Sequence, residues 1–155
     1  MLKKYLPYII SVAISLGIGG FAAFLTKDSM SVYSVINLPP LAPPSWLFPV
    51  AWSILYVLMG ISAAIIWCSN GKEFDSALTF YGFQLVFNFC WPLIFFNFRA
   101  FFIAFIWLII MLVLIAVTAA KFFRINKTAG WLLLPYFAWV CFAGYLNYAI
   151  WQLNP

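Results

Sequence analysis

The sequence predicts an all-α fold: a polytopic membrane bundle of five transmembrane helices, with a proline-rich lid loop between helices 1 and 2. Three observations carry this. Of the 155 residues, 67% are hydrophobic and 7% charged, where a soluble domain carries about 25% charged residues. The apolar residues fall into five long runs, each near the roughly 20 residues that cross a bilayer as a helix. They do not alternate with polar residues as barrel strands would. Finally, Pro39, Pro40, Pro43, Pro44 and Pro49 lie within one short stretch, and each X-Pro pair pushes the preceding residue out of the α region. Five spans with short loops use up the chain, so residues 1–155 are expected to form a single transmembrane domain.

Span 1 is expected over about 5–26. Its apolar run is too long for the 7–15 residues of a signal-peptide core, so an uncleaved span is expected. Ser11, Ser15, Gly19 and Ala23 recur every four residues and read as a small-residue packing seam. The connection that follows is the longest in the chain. Its prolines and interleaved apolar residues favour an ordered lid over a loose tether. Span 2 is expected over about 46–68, with Pro49 tolerated in its first turn. Trp52 and Tyr56 are one turn apart, and Gly60 and Ala64 repeat the small-residue spacing.

Span 3, about 76–96, places Gln84, Asn88, Trp91 and Phe95 on one face at intervals of four, three and four. Pro92 should kink it, and Asn97-Phe98-Arg99 reads as a tight turn. Span 4, about 100–120, has almost no polar groups and reads as the most lipid-exposed helix. Lys121, Arg124 and Lys127 read as a basic loop. Span 5, about 128–153, places Tyr136, Trp139, Ala143 and Asn147 on one face.

The net charge is +5. The basic residues cluster at span ends, where they set orientation, so no nucleic-acid partner is expected. Lys3, Lys4, Lys72, Lys121, Arg124 and Lys127 fall on one side, and Lys27 and Arg99 on the other. This predicts a cytoplasmic N-terminus in a bacterial cell membrane, with the lid outside.

The span interiors contain no Asp, Glu, Lys, Arg or His. Ion-coupled transport and acid–base catalysis normally need such groups. There is no histidine, and Cys68, Cys90 and Cys141 lack metal-ligand spacing; they read as buried core thiols. No metal site or cofactor is expected. What remains is aromatic surface, 22% of residues, with a few neutral polar groups. This suits a flat apolar ligand with a few hydrogen-bonding atoms. Gln84 and Asn88 would supply hydrogen bonds, and Trp52 and Trp139 stacking faces. The alternative is structural: Gln84 and Asn88 as glue between helices, Trp46, Trp131 and Trp151 as interfacial anchors, Trp67 and Trp107 as packing or lipid-facing residues.

Taken together, the residues resemble a bacterial member of the translocator protein family (TspO/MBR, the tryptophan-rich sensory proteins, also called peripheral benzodiazepine receptors). The resemblance rests on Leu38-Pro39, Pro43-Pro44-Ser45-Trp46, Phe48-Pro49-Val50-Ala51-Trp52, Leu55-Tyr56 and Gly60. It continues through Gln84-Leu85, Asn88, Trp91-Pro92, Phe95-Phe96, Pro135-Tyr136, Trp139, Ala143, Leu146-Asn147 and Trp151. It implies a five-helix bundle, often a homodimer, with a pocket closed by the loop between the first two helices. It implies binding of tetrapyrroles such as protoporphyrin IX, and of isoquinoline carboxamide and benzodiazepine ligands. Use as a transporter, or as a sensor or receptor, is the alternative it carries. Light-dependent porphyrin breakdown is also implied, with Trp52 and Trp139 as the participating tryptophans. Pocket positions carried over are Asn88, Trp91 and Ala143, with the lid running from Tyr33 through Pro43 to Ser45. Tyr56, Gln84 and Asn147 complete the expected ligand-binding set. The family's sterol motif is incomplete here: no Lys or Arg follows Leu146 and Tyr148, which argues against cholesterol as a ligand.

Overall fold

The computed structural model describes residues 2–69 and 73–155. Five long helices dominate it: α1 (Leu2–Thr26), α3 (Leu47–Trp67), α4 (Phe74–Pro92), α5 (Phe101–Ile125) and α6 (Lys127–Leu153). The short α2 (Val32–Val35) lies in the lid, and a π-helical turn, Leu93–Asn97, extends α4. No strand occurs among the described residues. All five long helices are apolar enough to cross a membrane. They close a ring in the order α1, α3, α6, α5, α4 and back to α1.

Lipid is as apolar as leucine, so close backbone packing does much of the work of joining such helices. Gly60 brings α3 directly against the backbone of α1. A Cβ built there would stand 2.5 Å from Val12 Cα and 2.8 Å from Val12 N. Gly19 likewise faces the Tyr56 ring with no room for a side chain. The α1 seam uses Ser11, Ser15 and Gly19 as expected, but it continues through Ala22 and Thr26, and Ala23 is exposed. A strict four-residue step drifts off a face whose period is 3.6. Ser15 accepts from Tyr81 Oη (2.7 Å) and donates to Ser11 O (3.0 Å), tying α1 to α4.

Pro92 produces a change of helix type rather than a bare kink. Proline has no N–H for the i→i−4 ladder, and the chain continues as a π turn. Phe98 N bonds Leu93 O at 3.1 Å and Ala100 N bonds Ile94 O at 3.2 Å. Arg99, with φ 51°, completes the reversal.

Three other expectations are corrected. The basic loop does not form: Lys121 and Arg124 belong to the end of α5, and Lys127 begins α6. The extended Asn126 alone joins the two helices, its side chain capping α6 by accepting from Ala129 N at 3.2 Å. Lys121 donates to Ser76 (3.0 Å), and Arg124 pairs with Glu73 (3.2 Å) in an exposed contact. Lys72, one of the charges counted for orientation, lies outside the described residues. The fourth span is also not the least covered. In its most apolar window 28% is buried, against 22% for α1. Hydropathy alone cannot separate lipid from core here, because both are apolar; Leu108, Met111, Ile115 and Phe122 of α5 are fully enclosed. Finally, Cys68 and Cys141 are exposed and Cys90 half-buried, since a small apolar side chain loses nothing by facing lipid.

The lid is fastened near its middle, and the helix end that leads into it is fastened too. Asn97 Nδ2 donates to Leu25 O, in the last turn of α1, at 3.1 Å. In the lid two asparagines clamp reciprocally: Asn37 N donates to Asn154 Oδ1 (2.9 Å), and Asn154 Nδ2 donates to Asn37 O (2.9 Å). Within the lid, Tyr33 Oη donates to Pro43 O at 2.9 Å. Asn154→Ala removes both clamp bonds. At about 0.5–1.5 kcal/mol net each, amide exchange around residues 36–38 should accelerate about tenfold, with the bundle's melting midpoint nearly unchanged. Hydrogen exchange by mass spectrometry checks this.

Candidate functional site

Beneath the lid lies a cavity of about 670 Å³, within the range of small-molecule sites. α1 contributes Gly19, Ala22, Ala23 and Thr26. The lid contributes Tyr33, Ser34, Leu38 and Ser45. α3 contributes Phe48, Trp52 and Tyr56, α4 Asn88 and Trp91, and α6 Ala143, Leu146, Asn147 and Ile150. The kinked end of α4 adds Phe95 and Phe96. No lining residue carries a charge.

From the cavity wall at Tyr56 and Asn88 a directional hydrogen-bond chain runs inward. Tyr56 Oη donates to Asn88 Oδ1. Asn88 Nδ2 donates to Tyr136 Oη at 2.8 Å, and Tyr136 Oη donates to Gln84 Oε1 at 2.7 Å. The chain stops at Gln84 Nε2, which is buried without a partner among the described residues. A second set braces the side wall: Trp91 Nε1 donates to Asn147 Oδ1 (3.0 Å), and Asn147 Nδ2 donates to Phe101 O (2.8 Å). The Trp52 ring lies 5.5 Å from Tyr56 and 6.1 Å from Tyr136 between centroids. In the lid, burial pushes the Tyr33 phenol above its usual value of 10.

Of the residues singled out from sequence, Tyr33, Ser45, Trp52, Tyr56, Asn88, Trp91, Ala143 and Asn147 all line this cavity. Three do not. Pro43 acts through its carbonyl, holding Tyr33. Gln84 lies a turn along α4 from Asn88, at the end of the chain of hydroxyls and amides. Trp139 stands behind the wall, edge-on to Phe48 at 6.1 Å, its indole N–H buried and unpaired among the described residues. A helical face tells which side a residue is on and not how far along the helix the cavity reaches. The α1 wall was missed because Gly19 reads only as a packing residue. Leu146 and Ile150 continue the face of Ala143 and Asn147 and were legible by that spacing.

The profile of the TspO/MBR family matches residues 10–152. A tryptophan-rich protein TspO of Chlorobaculum tepidum is 32% identical over the whole of both chains. A translocator protein of Bos taurus is 35% identical over 96% of this chain and 92% of its own. A tryptophan-rich protein TspO of Archaeoglobus fulgidus is 36% identical over 96% and 97%. With five apolar helices around a lidded aromatic cavity, and relatives of this kind along its length, the chain belongs to the TspO/MBR family of membrane proteins.

Proposed function

We propose that this protein binds planar tetrapyrroles such as protoporphyrin IX, and flat ligands of the isoquinoline carboxamide and benzodiazepine type, in the cavity under the lid. The observation that supports this best is the character of the walls: indole, phenol and phenyl rings with two neutral amides and no charge. Such walls solvate a flat apolar ring system, and supply hydrogen bonds only at a few points. Light-dependent porphyrin breakdown fits the same site. An excited porphyrin exchanges an electron with an adjacent indole or activates oxygen, and the protein's part is to hold the reactants together. We assign this part first to Trp52, whose ring lines the cavity, and second to Trp139, one layer back. We further propose that the N-terminus is cytoplasmic in a bacterial cell membrane and that the protein works as a homodimer.

The test is a protoporphyrin titration read by tryptophan fluorescence. Trp52→Ala should raise Kd about tenfold, since it removes one stacking wall worth about 1–1.5 kcal/mol. Trp139→Phe should leave Kd within about twofold. Under illumination, porphyrin decay should slow with Trp52→Phe more than with Trp139→Phe. Saturation that survives Trp52→Ala unchanged rules out this site.

A further inference from the structure

We infer that the cavity takes its ligand in one orientation only: an uncharged flat body on the floor, and the ligand's ionised groups at the serine-bearing rim beneath the lid. This rests on the tetrapyrrole reading above and adds to it which edge of the ligand faces out.

The cavity is polarised along its depth. The inner residues Tyr56, Asn88, Leu146 and Asn147 are all buried. Their polar atoms are neutral and largely spent on one another, through Tyr56 to Asn88, Trp91 to Asn147, and Asn147 to Phe101 O. The rim is different. Ser31, Ser34 and Ser45 line the cavity from the lid and are exposed. Ser34 spends its hydroxyl on Ser31 O at 2.6 Å; those of Ser31 and Ser45 have no partner among the described residues. The charged groups at this end are the exposed Lys27 and Asp28, just after the lining residue Thr26, and Arg99 in the turn before α5. Lys27 Nζ lies 4.6 Å above the Phe24 ring. The first turn of α3 and the last turns of α6 carry no charged side chain.

An ionised carboxylate pushed onto the floor would meet no cation and few free donors. It would take up a proton rather than stay charged there. At the rim the same group keeps its water and meets free hydroxyls. A macrocycle with both carboxylates along one edge therefore binds with that edge toward the lid.

The experiment compares protoporphyrin IX with its dimethyl ester by tryptophan quenching of the intact protein in uncharged detergent, between pH 6 and 9. A free carboxyl has its ordinary value near 4, so the diacid is ionised throughout. The sequence has no histidine to titrate in this window, and the raised Tyr33 phenol stays neutral. The expected results are a diacid Kd constant within about twofold across the range, and an ester Kd within about threefold of it. Ser45→Ala combined with Lys27→Gln should weaken the diacid about threefold more than it weakens the ester. If carboxyls bind protonated on the floor, each must take up a proton, and the diacid Kd rises tenfold per pH unit per carboxyl. That slope, or an ester bound a hundredfold more tightly, overturns the inference while leaving the site itself standing. Absence of quenching by either porphyrin overturns the tetrapyrrole reading and the orientation with it.

Discussion

Gly60→Val should cost about 3 kcal/mol of bundle stability, at the top of the overpacking range. The reason is what the new side chain would strike. Even a bare Cβ at residue 60 reaches 2.5 Å from Val12 Cα. A flexible side chain in the way would change rotamer; a backbone must move as a whole, and α1 moves with it. Since α1 also forms one wall of the cavity, ligand affinity should fall in parallel. Gly17→Val is the control, because nothing stands within 4 Å of a Cβ there. It should change stability by less than about 1 kcal/mol. Thermal unfolding in detergent, followed by far-ultraviolet circular dichroism, measures both. Equal losses would mean that glycine at 60 is not held by the α1 contact.

Tyr136→Phe should cost about 2 kcal/mol. Tyr136 is fully buried, and its hydroxyl is the middle link of the inward chain, accepting from Asn88 and donating to Gln84. Removing it breaks two hydrogen bonds and strands an amide at either end. In membrane interiors single bonds of this kind average about 0.6 kcal/mol, with 1–2 in model peptides. Two of them, together with the stranded amides, give the larger figure. Gln84→Leu should cost less, about 1 kcal/mol. It leaves the buried Tyr136 O–H without its acceptor, but it also removes a buried N–H that has no partner among the described residues, and Tyr136 keeps its bond from Asn88. Denaturant unfolding of the two variants separates the cases. A Gln84→Leu loss as large as that of Tyr136→Phe would point to an unseen partner for the amide.

Much of the fold was legible because bilayer thickness fixes helix length, and because Pro39 to Pro44 forbid helix where the lid lies. The polar face of α4 and the small-residue approach at Gly60 were legible for a different reason: they follow from helical periodicity. Other features were not. The π turn after Pro92 depends on which carbonyls find new donors, and proline alone says only that the ladder breaks. The one-residue link at Asn126 was hidden because Lys121 and Arg124 suit a helix end as well as a loop. The least covered helix could not be picked from hydropathy, since core and lipid select the same side chains. In the site, the sequence separated the face of Tyr136, Trp139, Ala143 and Asn147 from the rest of α6. The depth at which that face leaves the cavity wall was set by Phe48, which stands between Trp139 and the lid's Tyr33.

The amide clamp between Asn37 and Asn154 joins positions 117 apart in sequence. During synthesis, Asn37 has no partner until nearly all of α6 has been made and docked. The first four long helices leave the ring open between α3 and α5, where α6 will stand, and residues 27–46 meanwhile keep the Tyr33–Pro43 bond and the contact of Tyr33 with Phe48. Completion of the last helix then draws the roof into place. Assembly order is thus written into the geometry: the ligand chamber is the last compartment of the molecule to be sealed.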